Sequence, residues 1–150
     1  MNYFKKIIFI FLFLLTFSFL NGAEYLVTNA NEVANAMNSA QPGDTLTMVN
    51  GEWQSQVIEF YGDGQEGSPI LLRAQTPGKV KLTGFSRLKI SGTWLVADGL
   101  LFTDGYPSTG AVVEFRGGSH AHYCRLTNTA IDGYSPENDN DEFKWVSIYG

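Results

Sequence analysis

His120, His122 and Cys124 stand at alternate positions, and imidazole with thiolate is a zinc-binding chemistry. In an extended strand the three share a face. Gly117-Gly118-Ser119 turns just before them and no fourth ligand is evident, so a buried thiol beside two surface histidines is the plainer reading. Glu137, Asp139, Asp141 and Glu142 offer oxygen ligands for calcium, but they lack the glycine and distal glutamate of a calcium loop and read as a solvated acidic segment. Asp132 and Tyr134 are acid–base material in type, although an aspartate beside glycine is commonly a turn residue. Arg116, Arg125 and Lys144 fall on separate expected strands and are the candidate contacts for an anionic polymer. Ordinary surface charge is the competing reading. Trp53, Trp94 and Trp145 are the right type to stack on sugar rings, with core or edge packing as the alternative.

Strands must position these side chains. Lys79-Val80-Lys81-Leu82-Thr83 and Arg87-Leu88-Lys89-Ile90-Ser91 alternate apolar and polar, which gives each run one dry and one wet face. Three runs end alike, at Leu82-Thr83-Gly84, Phe102-Thr103-Asp104-Gly105 and Leu126-Thr127-Asn128, and their leading apolar residues lie 20 and 24 apart. Ile70 precedes Trp94 by 24 as well. A period of this length indicates a solenoid whose passes bury their apolar sides only by stacking. Short strands with turn signals between them are also compatible with a sandwich.

Ahead of the strands, Asn29 and Glu32 form a helix-start signal, and Val33, Ala36, Met37 and Ala40 follow at helical spacing. Gln41-Pro42-Gly43-Asp44 stops that helix, which would cover the open end of a stacked core. Further strands are expected at Tyr25-Leu26-Val27, Thr45 to Val49, Gln56 to Phe60, Ile70-Leu71-Leu72, Ala111 to Arg116, Tyr123 to Asn128 and Lys144 to Tyr149. Trp94 to Phe102 reads as two strands meeting at Asp98-Gly99, and Tyr61 to Ser68 as a loop. If Leu126 points inward, alternation turns Asn128 inward too, where its amide needs partners. No polar cap follows the last strand, which suggests the N-terminal portion of a longer solenoid.

Lys5 and Lys6, the apolar run Ile7 to Leu20 and the small residues Asn21-Gly22-Ala23 follow the order of a secretory signal, so residues 1–23 are expected to be removed on export. That run is short of the roughly 20 apolar residues of a membrane span. Without it the net charge falls from −5 to −7, with 8 basic and 15 acidic residues remaining. So acidic a chain lacks the basic stripe that nucleic-acid binding needs. The single cysteine forms no internal disulfide.

Pro77-Gly78-Lys79-Val80, Leu82-Thr83-Gly84, Trp94 to Leu100 and Phe102-Thr103-Asp104-Gly105 resemble, in order and spacing, the start of polysaccharide lyase family six, which contains chondroitinase B and a group of alginate lyases. Cys124 to Asp132 and Lys144 to Gly150 look more like the alginate-lyase branch. The resemblance runs from about Tyr25 to Gly150. It implies an all-β fold, a right-handed parallel β-helix with a short N-terminal capping α-helix, here the cap and first coils over 24–150. It also implies β-elimination at a uronic acid, with calcium neutralising the carboxylate, a lysine as base and an arginine as acid. In the family these groups lie on later coils, so no catalytic residue and no metal ligand is placed on this chain, and the chain alone is expected to be inactive. The implied substrate is an anionic polysaccharide, alginate first and chondroitin or dermatan sulfate second. A non-catalytic β-helix that binds glycans is the reading from a different class.

Overall fold

A computed structural model describes residues 22–136, 138 and 143–149. Most of the secretory-signal segment, and Glu137, Asp139, Asp141 and Glu142 of the acidic segment, lie outside the described residues. Strand β1 (Glu24–Val27) leads into helix α1 (Ala30–Met37). Asn29 caps that helix by accepting the Glu32 N–H at 2.9 Å. Glu32 reaches back one residue further than a capping box does, and its carboxylate accepts the Thr28 N–H at 2.7 Å and the Thr28 hydroxyl at 2.9 Å. Val33, Ala36 and Met37 are the buried face, and they pack into the same core as the strands. The expected helical cap over the solenoid end is therefore present. Asp44, read only as part of the helix stop, is buried and ties the region together by accepting the Ala23 N–H at 2.7 Å and the Gln41 N–H at 2.8 Å.

From there the chain winds through three sheets, always in the same order. The first pass is β2 (Thr45–Met48), β3 (Gly51–Gln54) and β4 (Val57–Asp63). The second is β5 (Ile70–Ala74), β6 (Val80–Gly84) and β7 (Arg87–Thr93). The third is β8 (Leu95–Asp98), β9 (Leu101–Gly105) and β10 (Ala111–Phe115), with β11 (Ala121–His122) following β10. The last is β12 (Arg125–Thr127), β13 (Ala130–Ile131) and β14 (Lys144–Ile148). Every pairing between these strands is parallel, which makes an all-parallel β-solenoid and excludes the sandwich. We name the sheets A (β1, β2, β5, β8, β12), B (β3, β6, β9, β13) and C (β4, β7, β10, β11, β14).

Register puts like over like inside the coil. Leu46, Leu72, Ala97 and Leu126 stack on sheet A, Trp53, Leu82, Phe102 and Ile131 on sheet B, and Ile58, Leu88 and Val113 on sheet C. This corrects part of the expected repeat. Leu82 and Phe102 do pair, but Leu126 sits over Ala97 on another sheet, and the partner of Phe102 is Ile131. Ile70 pairs with Leu95, one residue past the expected Trp94. Fixed spacing fails because corner loops differ in length. Lys81 meets Leu101 after 20 residues, whereas Val113 meets Val146 after 33.

The corners account for a second correction. Ser55, Trp94, Tyr123 and Asn128 have φ between 48° and 55°, the left-handed region that turns the chain sharply between strands, and Asp104, at φ 52°, breaks the extended run within β9. Asn128 is such a corner residue. It is exposed, and its amide donates to Asp98 Oδ1 at 2.6 Å, so it does not continue the inward face of Leu126. Strand β3 was not expected from the sequence, since Trp53 is its one buried residue and the rest is polar or glycine.

Tyr134 fills the corner between sheets B and C. The third pass leaves that corner after β9, and Tyr134 from the next pass fills the space, 1% exposed and edge-on to Phe102 at 5.8 Å. Its hydroxyl lies 2.8 Å from the Gly84 carbonyl and donates at 2.6 Å to the Ser86 carbonyl. Burial pushes its phenol up from 10.0 to about 12. Replacing Tyr134 by Phe strands the Ser86 carbonyl, whereas that of Gly84 still accepts the Tyr106 N–H at 2.9 Å. The loss is about 1–2 kcal/mol and should lower the melting temperature by about 4–8 °C in a chain of this size. A raised phenol stabilises the fold below pH 10 and loses that contribution as pH climbs toward 12. The wild-type protein should therefore lose stability across that window more steeply than Tyr134→Phe, as read by chemical denaturation at each pH.

Candidate functional site

The outer face of sheet C is where the strands place polar and charged side chains in register. Val57 lies beside Arg87, Glu59 beside Lys89 and then Glu114 and Ser147, and Tyr61 beside Ser91. Lys89 Nζ is 3.3 Å from Glu59 Oε1. Of the eight lysines and arginines after residue 23, four lie on this sheet or its margins: Arg87, Lys89, Arg116 and Lys144. Most charged groups on sheet A have side-chain partners, with Arg125 exposed as the exception. Arg73 pairs with Glu24 at 3.1 Å, and Asp98 accepts from Thr127 and Asn128 at 2.6 Å each. The Thr47 hydroxyl and then Arg73 hold the Glu24 carboxyl below its usual range.

Two departures from the coil wall this face. Between β10 and β11 the chain swings out through Gly117-Gly118-Ser119 and closes on itself by an antiparallel bridge between Arg116 and His120. The excursion overhangs Lys89 and Ser91 and encloses a groove of about 250 Å³ with Glu59 and Tyr61. At the other margin the 105–110 loop is held by the Arg87 guanidinium, which donates to the Thr109 carbonyl at 2.7 Å and lies 3.1 Å from its hydroxyl. Phe85 and Tyr106 meet edge to face at 5.5 Å beside it. A second groove, of about 420 Å³, lies at the corner between sheets C and A, lined by Trp94, Val96, Tyr123 and Arg125. There the rings of Trp94 and Tyr123 stack at 4.6 Å, tilted by 11°.

The three candidate contacts do not form one ladder. Arg116 stands exposed at the root of the excursion with its guanidinium 5.3 Å above the Tyr149 ring. Lys144 is exposed at the start of β14, beside Ala111. Arg125 is on sheet A next to Val96. Arg87 and Lys89 went unnoticed as site residues. Their place on a wet strand face was readable from the alternation, whereas the loops above them were not. Trp53 is core, Trp94 a corner residue, and Trp145 is exposed.

His120, His122 and Cys124 do not share a face. Tyr123, at φ 55°, turns the corner between them and breaks the alternation. The histidine rings are 6.2 Å apart, while the Cys124 thiol is half-buried, 3.6 Å from the Gly92 carbonyl, and burial pushes its pKa up. Among the described residues no cluster of three or more His, Cys, Asp or Glu could hold a metal. Asp132 is an exposed turn residue before Gly133, and the Tyr134 hydroxyl is occupied by carbonyls. No described helix is long and apolar enough to cross a membrane.

A capped parallel solenoid with a groove across its stacked strands places the chain among the β-helix proteins. The family described as Chondroitinase B matches residues 27–150, and the chain belongs to that family, polysaccharide lyase family six. The chain is 40% identical to the PL6 family alginate lyase AlyGC, with a TM-score of 0.82, over 85% of this chain and 18% of that one. A PL6 family polysaccharide lyase from Pseudopedobacter saltans is 37% identical at TM-score 0.73, covering 81% of this chain and 28% of that one. A mannuronic acid specific family 6 lyase from human gut microbiota is 31% identical at TM-score 0.72, covering 84% and 31%. The chain thus spans less than a third of the length of these structures. No curated protein sequence matches it.

Arg87→Ala should free the 105–110 loop while leaving the coil intact. The expected readout is faster amide exchange confined to that loop, with stability changed by no more than about 1 kcal/mol, since the contact is exposed.

Proposed function

We propose that this chain supplies the cap and first coils of an exported polysaccharide lyase that cleaves alginate by β-elimination. In that reaction a base removes the proton α to the uronate carboxylate, the glycosidic bond at the β-carbon breaks, and an unsaturated uronate remains. The observation that carries the reading is the 40% identity to an alginate lyase over nearly all of the described solenoid. Export rests on the signal-like order of residues 1–23. Calcium is proposed for the longer enzyme, where it would neutralise the substrate carboxylate, and no ligand for it is assigned here. The role left to this chain is to hold polymer along the outer face of sheet C. The match to Chondroitinase B keeps chondroitin or dermatan sulfate as the second substrate.

Two measurements test this. In affinity electrophoresis the purified protein should be retarded by alginate more than by chondroitin sulfate; equal mobility in both gels contradicts the substrate class, and the reverse order selects the second polymer. Incubated alone with alginate and calcium, it should release no ultraviolet-absorbing unsaturated uronate. Clear calcium-dependent product from this chain would show that a catalytic centre lies within it after all.

A further inference from the structure

We propose that the groove over sheet C is a subsite for one uronate unit of the polymer, in which Lys89 receives the sugar carboxylate by exchanging it for Glu59. The inference deepens the glycan reading above and rests on it. Three observations converge on Lys89. First, its side chain is only 23% exposed whereas that of its partner Glu59 is 60% exposed, so the cation is fixed in the groove floor and the anion can swing away. Among the described residues Glu59 makes no polar side-chain contact other than this one. An ion pair as open as this contributes little to stability, so displacing Glu59 from Lys89 costs little. Second, the carboxylate on the other side makes no ion pair with Lys89 among the described residues. Glu114 lies in register with Lys89, but its Oε1 accepts the Ala111 N–H at 3.0 Å.

Third, the walls suit a sugar ring. Tyr61 is 39% exposed, and its hydroxyl donates to Asn38 Oδ1 at 2.8 Å, which fixes the ring as an apolar wall. The opposite wall is Gly117-Gly118-Ser119, and a Cβ at Gly117 would come within 2.6 Å of Ser91 Oγ, so a larger residue there would fill the groove. Its volume of about 250 Å³ lies below the roughly 300–1,000 Å³ of drug-sized sites, the scale of a sugar unit rather than of a large cofactor. Elsewhere the chain is strongly acidic, which leaves a polyanion few places to approach.

Calorimetry with the purified protein and an alginate hexasaccharide tests the exchange, with an uncharged cellohexaose as control. Lys89→Gln should weaken hexasaccharide binding about five- to tenfold, as expected for losing one charge-assisted contact. Glu59→Gln should tighten it about two- to fivefold, because it removes the internal competitor. Both variants should melt as the wild type does, and neither should change the response to cellohexaose. If the wild-type protein binds the hexasaccharide but both variants bind it equally well, the subsite is wrong and the glycan reading stands. If Glu59→Gln weakens binding as much as Lys89→Gln, the exchange is wrong, because the pair then acts as a unit. If the wild-type protein does not bind the hexasaccharide, the glycan reading falls and the subsite with it.

Discussion

Parallel backbone pairing between successive passes of the chain governs where every side chain in this molecule can go. Each strand sits about 4.8 Å above its predecessor, and a residue and its register partner point the same way. Inside, that forces apolar on apolar, as in Leu46, Leu72 and Ala97, or Trp53, Leu82 and Phe102. It also forbids bulk where two backbones close in. Gly92 lies over Gly62 at φ 114°, and a Cβ there would fall 2.0 Å from the Gly62 carbonyl oxygen. The left-handed corner residues let three short strands close each pass without a long loop. Where a corner does open, as after β9, a side chain from the following pass closes it, which is the part Tyr134 plays.

On the outside the same register makes rows of side chains that run along the solenoid axis. A linear polymer lying along such a row meets one side chain per pass, and the excursions wall the row. Sheet C has the walls, the fixed Lys89 and half of the cations. Sheet A has rows too, but Arg73 is paired with Glu24 and Asp98 is held by Thr127 and Asn128, which leaves Arg125 as its one exposed cation outside such contacts. This difference is what makes sheet C the candidate face in a chain that is otherwise acidic.

Much of the fold was legible in the sequence because it is local. The Asn29 cap, the helical spacing of Val33, Ala36 and Met37, and the alternation in β6 and β7 are each decided within a few residues. Register is not local. It depends on corner lengths, and these vary enough that Leu126 was matched to the wrong sheet and Asn128 was turned inward. The site was harder to read for the same reason. Arg116, Arg125 and Lys144 are cations on strands, yet only the winding decides which sheet each strand joins. The groove over Lys89 is made by the departure of Gly117-Gly118-Ser119 from the coil, and a glycine pair alone does not reveal what it will overhang.

In-register stacking can be measured directly by paired cysteines in a Cys124→Ser background. Lys81 and Leu101 face outward on neighbouring strands of sheet B, and parallel partners fall within the roughly 4.4–6.8 Å Cα separation that a disulfide bridges. Lys81→Cys with Leu101→Cys should oxidise to an intramolecular disulfide under native conditions. Leu101→Cys with Arg125→Cys, 24 residues apart but on different sheets, should stay reduced. A disulfide in the second pair and none in the first would contradict the register from which the groove, the corner plug and the subsite all follow.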